Sequence, residues 1–161
     1  MIAEKTKDVT ISGRRYQLAK MTPETGCLIH SLLVYVGLKY AEGKVENADA
    51  IAASVPPPSD DPVARAEGIT RMLWLMAPAT LPEASYRSIQ KYALAACSFY
   101  LKPDMPPSPV KMADGVRWAD AELADDGPGM QELVTQSIIF SISPFFALGL
   151  ATAQSAPTAT S

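Results

Sequence analysis

The stretch Asp8–Pro23, DVTISGRRYQLAKMTP, determines how the chain begins to fold. Two short runs in it alternate apolar and polar residues, and a period of two predicts β-strands. The apolar members are Val9, Ile11, Tyr16 and Leu18. Gly13 lies between the runs and tolerates a positive φ, so we expect it at the first position of a tight two-residue turn. The stretch therefore predicts a β-hairpin over residues 8–20.

A helix is predicted to follow this hairpin directly and to end near Tyr40. Thr22 is a typical N-cap, Pro23 fits the first helical position, and Glu24 is favoured by the helix dipole. Two apolar stripes run along the helix; the first holds Leu28, Leu32 and Tyr35, and the second holds Ile29, Leu33, Val36 and Tyr40. Because such a helix is apolar over most of its circumference, we expect it to be central to the core or partly covered by another chain.

Prolines and capping residues divide the rest of the chain. Asp61, directly before a proline, predicts the start of a helix over 62–77. Thr80 and Glu83 predict a capping box for a third helix that ends near Tyr100. The other predicted elements are a loop or short helix over 42–61 with a polyproline stretch at 56–58, a second small hairpin over 109–119, a last helix over 128–142 with a final turn through Leu150, and a mobile tail over 151–161.

The composition limits the class of protein. The chain has 161 residues, of which 48% are apolar and 19% charged, and this is the size of one domain. Fourteen Lys and Arg against seventeen Asp and Glu give a net charge of −3, so the basic excess of a nucleic-acid-binding protein is absent. No apolar signal segment opens the chain, which favours the cytoplasm. We predict a single α+β domain over residues 1–150, mainly helical, with an N-terminal hairpin and a second small hairpin.

Residues able to carry chemistry are few. Cys27 and His30 share a helix face, and Cys97 would add a third zinc ligand where a structural site needs four, so core cysteines and a satisfied histidine are favoured. The paired acids at 60–61 and 125–126 precede helix starts and fit capping better than acid–base catalysis. No Gly-x-Ser-x-Gly motif is present. We predict no catalytic residue, no metal site and no cofactor, and therefore no enzyme.

Two segments leave alternatives open. Residues 133–150 carry no charge and are long enough to span a bilayer, but polar residues such as Thr135 and Gln136 favour a helix buried in the domain or covered by a partner. Five basic residues lie among the first twenty. They favour a solvated hairpin face, with a contact surface for an acidic partner as the alternative.

The order of these features resembles the tail assembly chaperones of long-tailed bacteriophages. Members of that family often open with a hairpin of the pattern I-x-G-x-x-Y-x-L-x-K-L/M and close with a helix that runs into a Phe-Phe pair. The opening pattern is matched here by Ile11, Gly13, Tyr16, Leu18, Lys20 and Met21. The closing pair is matched by Phe145 and Phe146.

The resemblance implies a non-catalytic holdase in the host cytoplasm that coats the tape measure protein before the tail tube polymerises. The tail tube protein is a further partner, and weak self-association follows from coating a rod with many copies. We expect partner contacts at Leu28, Leu32, Tyr35, Ile138, Ile139, Phe145 and Phe146. The alternatives are a structural virion protein, such as a head–tail connector or tail completion factor, and a small protein anchored in a membrane by residues 133–150.

Overall fold

The computed structural model describes residues 5–57, 59–112, 114 and 117–155. They form an α+β fold that is mainly helical and carries a four-stranded antiparallel sheet of order β1-β2-β3-β4. The strands are β1 (Thr6–Ile11), β2 (Arg14–Ala19), β3 (Cys97–Phe99) and β4 (Ser108–Pro109). The helices are α1 (Pro23–Ala41), α2 (Ala48–Ser54), α3 (Pro62–Met76), α4 (Glu83–Ala95), α5 (Ala121–Ala124) and α6 (Gly127–Ser155), with a short 3₁₀ turn at Ala77–Ala79.

The N-terminal hairpin is confirmed, with a correction to its turn. Ile11 pairs with Arg14, so the two loop residues are Ser12 and Gly13. Both have positive φ, 52° and 76°, as a type I′ turn requires. Gly13 therefore occupies the second turn position and not the first.

The starts of α1 and α3 are confirmed together with their caps. The Thr22 hydroxyl accepts a hydrogen bond from the Thr25 amide at 3.3 Å. The Asp61 carboxylate accepts one from the Ala64 amide at 3.1 Å. Each cap satisfies an amide that the first helical turn leaves without an intrahelical partner. The predicted short helix within 42–61 is α2.

The third predicted helix differs from α4 at both ends. Thr80 does not cap it: its hydroxyl donates to the Met76 carbonyl at 2.9 Å, and Pro82 precedes the first helical residue. The helix ends at Ala95, and the segment after it becomes β3. Cys97 and Phe99 are buried while the residue between them is only half-buried, so this segment follows the period of a strand and extends the hairpin into a sheet.

Only the base of the second small hairpin lies among the described residues. Lys111 and Trp118 form an antiparallel bridge, and the Met112 amide donates to the Arg117 carbonyl at 2.8 Å. Residues 113, 115 and 116 of the predicted hairpin lie outside the described residues. Just before it, β4 pairs with β3 at the edge of the sheet.

The last helix is longer than predicted, because α6 is one helix from Gly127 to Ser155 and Pro144 lies inside it. A proline in a helix interior leaves the carbonyl four residues earlier, here that of Phe140, without its amide donor. The Lys20 ammonium donates to this carbonyl and lies 3.8 Å from the centre of the Phe140 ring. Within the predicted tail, α6 continues to Ser155, and residues 156–161 lie outside the described residues.

The core forms around α6, which packs against α1, α3, α4, α5 and the β1–β2 hairpin. Trp74 of α3 is buried and stacks on Tyr86 of α4, with ring centres 4.7 Å apart. Other large side chains that are fully buried are Tyr16, Leu18, Ile29, Leu33, Met76, Ile89, Leu123, Leu133, Ile138 and Ile142. The buried face of α1 therefore belongs to this core, and its opposite face remains outside it.

Candidate functional site

The exposed face of α1 is the most distinctive surface of the described chain. We call it the α1 face and define it by Cys27, Leu28, Ser31, Val34, Tyr35 and Leu38, all of which are exposed. The exposed fractions of its large apolar residues are 49% for Leu28, 40% for Val34, 44% for Tyr35 and 59% for Leu38. These positions recur at steps of three and four, so they form one continuous stripe along the helix.

The sequence of α1 explains why this face remains outside the core. Ile29, Leu33 and Val36 turn inward and are buried, and they occupy the side opposite the stripe. No charged residue lies between Glu24 and Lys39. The helix thus has two apolar sides, and the fold of one chain covers only one of them. A long unpartnered apolar stripe of this kind is a feature of interaction sites.

Phe145 and Phe146 of α6 border the α1 face through His30. The His30 ring stacks on Phe145 with ring centres 5.1 Å apart and meets Phe146 edge-on at 4.8 Å. Phe145 also fills the space beside Gly26, where an added Cβ would lie 3.2 Å from its ring. On the helix, His30 lies next to Val34 and Cys27. The structure therefore places the two phenylalanines along one margin of the α1 face.

The environment of His30 is apolar. Burial against the two phenylalanine rings lowers the pKa of its imidazole below the ordinary value, because burial disfavours the charged ring. The contact between α1 and the distal part of α6 is thus formed with the neutral imidazole.

The remaining predicted partner residues are less accessible. Ile138 and Ile139 of α6 are 0% and 7% exposed, so they belong to the core and are not available on the surface. Ile138 packs in the core and Ile139 faces the space between α3 and α6, so neither contributes to the α1 face. Leu32 is half-buried and packs against the core at the margin of the α1 face.

The candidate zinc ligands do not come together. Cys27 is exposed on α1, whereas Cys97 is buried in β3, where its thiol donates to the Ala93 carbonyl at 3.2 Å. Burial raises the pKa of the Cys97 thiol to about 12. Among the residues that the structure describes, no group of three or more His, Cys, Asp and Glu is placed to hold a metal ion.

Both arginines of the hairpin are engaged within the chain. Arg14 forms ion pairs with Asp120 at 2.7 Å and Glu122 at 3.0 Å. Tyr16 donates to the same Asp120 carboxylate at 3.1 Å, and its burial raises the pKa of its phenol to about 12. Arg15 pairs with Asp8 at 2.5 Å and lies over the Tyr100 ring. These pairings account for the two arginines, whereas Lys5 and Lys7 are exposed.

The second acid of each pair, Asp61 or Asp126, caps a helix, and so does the unpaired Asp120. Asp126 accepts a hydrogen bond from the Gly129 amide at 2.9 Å and another from the Ser12 hydroxyl at 2.7 Å. It therefore starts α6 and ties that start to the hairpin turn. Asp120 caps α5 by accepting from the Leu123 amide at 3.3 Å. These carboxylates have structural partners that account for them.

Sequence reasoning missed a cavity of about 620 Å³ between α2, α3 and α6. Its apolar lining includes Ile69, Met72 and Ile139, and the extended segment at 55–57 forms part of its wall. Gly68 also lines it, and a Cβ added there would meet no atom within 4 Å. The proline run predicted an extended segment here but not a cavity, which depends on how that segment lies against α3 and α6.

The uncharged segment at 133–150 was the alternative candidate for a membrane anchor. Within the part of the chain that is described, no helix combines the length and the apolarity needed to cross a bilayer.

Comparisons with family models, curated proteins and solved structures gave no significant match to this chain.

Proposed function

We propose that this chain is a non-catalytic phage tail assembly chaperone that binds the tape measure protein in the host cytoplasm before the tail tube polymerises. The observation that carries the proposal is the α1 face, an apolar stripe without a charge from residue 25 to residue 38. The resemblance in the opening hairpin and the closing Phe-Phe pair supplies the identity of the client. The tail tube protein is a second proposed partner, because it encloses the client after the chaperone leaves.

The shape of the stripe suits a helical client. α1 has 19 residues and is therefore about 28 Å long. An amphipathic helix docks on such a surface by placing apolar residues at steps of three and four against it. On this chain, Leu28, Tyr35 and Leu38 would form the row of side chains that packs into the grooves of the client helix. A tape measure protein that is long and helical offers many such segments, so that individually weak contacts add up along it.

Phe145 and Phe146 would extend this surface beyond α1. They contact His30 on the side of the helix that carries Val34 and Cys27. A client lying along the α1 face would therefore meet aromatic rings at one margin and Leu32 at the other. Aromatic side chains at the margin of an apolar contact add binding energy through their large area.

The proposal is tested by co-expression with a phage tape measure protein. The tagged wild-type chain should retain the tape measure protein on an affinity column. Leu28→Glu combined with Tyr35→Glu should abolish this retention, since two charges would be buried against an apolar client. The double variant should keep the circular dichroism and melting temperature of the wild type, because both residues are exposed.

Val63→Glu and Leu101→Glu are matched controls for these variants. Both residues are apolar and at least as exposed as Leu28, at 58% and 64%, but they lie off the α1 face. They should leave retention unchanged. Equal retention by the α1-face variant and the controls would reject the proposal, as would unfolding of the α1-face variant alone.

A further inference from the structure

β1 forms one edge of the sheet, because the described part of the chain pairs it with β2 alone. The strand is six residues long, and four of these residues, Thr6, Lys7, Asp8 and Thr10, are exposed. A strand at an edge has backbone amides and carbonyls on its outer side that no neighbouring strand takes up. Such an edge can receive an extended segment of another protein as an additional strand.

The register of the hairpin shows which residues of β1 turn these groups outward. Ile11 pairs with Arg14 across the two-residue turn, so this pair exchanges hydrogen bonds, and every second pair along the strands does the same. The Lys20 amide donates to the Lys5 carbonyl at 3.2 Å and continues this alternation at the other end. The residues in between therefore direct their amides and carbonyls away from β2; they are Thr6, Asp8 and Thr10.

The side chains on one side of this edge carry positive charge. Lys7 lies opposite Leu18, which is buried in the core, so Lys7 is on the core-facing side of the strand. The period of two places Lys5 and Val9 on the same side. Both lysines are exposed, and neither has an ion pair among the residues that the structure describes. A docked segment would bring its side chains closest to these three residues, because they fall in the pairs without hydrogen bonds.

The opposite side of β1 carries one acid, and its charge is already compensated. Arg15 pairs with Asp8 at 2.5 Å, and the Tyr100 hydroxyl donates to the same carboxylate at 3.0 Å. An acidic segment at this edge therefore meets two lysines on one side and a carboxylate that is already paired on the other.

We propose that β1 binds an extended acidic segment of another protein, which adds to the sheet as a fifth strand. Its backbone pairs with the outward groups of β1, and its carboxylates lie opposite Lys5 and Lys7. An apolar residue of the segment lies opposite Val9, next to the core. All strand pairs of this sheet are antiparallel, and in that direction the segment reads apolar-x-acid-x-acid. β1 lies outside the α1 face, so the inference does not rest on the proposed client.

A second copy of β1 fits this edge less well than an acidic segment does. The antiparallel register that keeps Thr6, Asp8 and Thr10 all paired places Asp8 opposite Asp8 of the other copy. Like charges directly opposite each other destabilise a sheet. The same register places the lysines opposite apolar residues, so their charges gain no partner. Residues 156–161 of this chain contain no acid, so they do not supply the segment either.

Synthetic peptides test the charge requirement. In fluorescence anisotropy, the full chain should bind T-V-T-E-T-E-T roughly tenfold more tightly than T-V-T-K-T-K-T, because the second peptide brings lysines opposite lysines. Lys5→Glu combined with Lys7→Glu should reverse this preference. The matched control is Lys91→Glu combined with Lys102→Glu, since both residues are exposed and lie off β1. The control should keep the preference of the wild type. Equal affinity of the wild type for both peptides, or no binding of the acidic one, would overturn the proposal.

Amide hydrogen exchange measured by NMR tests the strand pairing itself. The amides of Thr6, Asp8 and Thr10 should exchange rapidly in the free chain and about tenfold more slowly with saturating T-V-T-E-T-E-T. The amides of Lys7 and Val9 already donate to β2 and should change less. Binding without slower exchange at the outward amides would show an ionic contact only and would overturn the added strand.

A proline at the edge provides a further measurement. Thr6→Pro removes an outward amide and leaves the hydrogen bonds to β2 in place, and proline is tolerated at the first residue of an edge strand. It should weaken binding of T-V-T-E-T-E-T at least about tenfold. Thr6→Val is the matched control, because it keeps the amide and should bind as the wild type does. Equal binding by the two variants would overturn the proposal.

Discussion

The Lys20 ammonium donates a hydrogen bond to the Phe140 carbonyl, the one whose intrahelical donor Pro144 removes. The same ammonium lies over the Phe140 ring. One residue later, the Met21 amide donates to the Ser141 hydroxyl at 3.1 Å. The junction between β2 and α1 is thus attached to α6 at the position where that helix is weakest.

This contact predicts a non-additive pair of substitutions. Lys20→Met removes the donor and keeps the aliphatic stem, so it should lower the free energy of unfolding by about 1 kcal/mol. In a Pro144→Ala background the same change should cost less, because the backbone amide restored at position 144 donates to the Phe140 carbonyl. Urea denaturation of the four proteins gives the coupling free energy. Equal costs in both backgrounds would show that Lys20 does not act through this carbonyl.

Two glycines in helices should respond in opposite directions to alanine. At Gly129 an added Cβ would collide with the Asp126 carboxylate, which must then leave its cap position. Gly129→Ala should destabilise the chain by about 1 kcal/mol. At Gly68 the space is open, so Gly68→Ala should stabilise α3 by about 0.5–1 kcal/mol. Thermal denaturation measures both, and the same sign for the two variants would contradict the described geometry.

The contact of His30 with Phe145 and Phe146 predicts a loss of stability in mild acid. The pKa of His30 is lowered in the folded chain, so the unfolded chain takes up its proton first as the pH falls below about 6.5. Stability from this contact is therefore complete above that pH and declines as the pH falls through the folded pKa. Urea denaturation between pH 7.5 and 5 should show the decline in the wild type. A His30→Gln variant with the same pH dependence would refute the assignment.

The buried phenol of Tyr16 predicts a loss of stability in alkali. Its pKa is raised to about 12, above the ordinary value near 10, so the unfolded chain ionises first as the pH rises. Its contribution is complete below about pH 10 and is lost as the pH rises toward about 12. Tyr16→Phe should flatten this part of the stability profile. Ultraviolet titration should show a late-ionising phenol in the wild type that the variant lacks, and the same titration curve per phenol in both would contradict the assignment.

The sequence predicted those parts of the fold that depend on neighbouring residues. Thr22 and Asp61 cap helices through amides three residues away, so the starts of α1 and α3 could be found locally. The hairpin could also be predicted locally, because only two residues separate its strands. β3 was missed because Cys97 and Phe99 become a strand only by pairing with β2, about eighty residues earlier in the chain. The continuation of α6 through Pro144 was missed because it depends on a distant residue. Lys20 donates to the Phe140 carbonyl, which Pro144 leaves without an amide donor, and Lys20 and Phe140 are 120 positions apart.

The sequence predicted only part of the candidate site, because the rest again depends on how distant parts of the chain pack. Both α1 and α6 are apolar on nearly all sides, and a sequence does not show which side the rest of the chain covers. Leu28 and Tyr35 lie on an uncovered side, whereas Ile138 and Ile139 lie on covered ones. Phe145 and Phe146 lie near α1 through their contact with His30, whose place in the sequence indicates only a metal ligand or a core residue.

The central claim is that a helical client covers the α1 face, and Cys27 tests it most directly. Cys27 is exposed within that face, whereas Cys97 is buried and serves as an internal control. The rate of thiol labelling should be measured at a concentration where the chain is monomeric, without and with a saturating helical segment of the tape measure protein. The segment should slow labelling of Cys27 at least about tenfold while Cys97 remains unlabelled. An unchanged rate at Cys27 with bound client would contradict the claim.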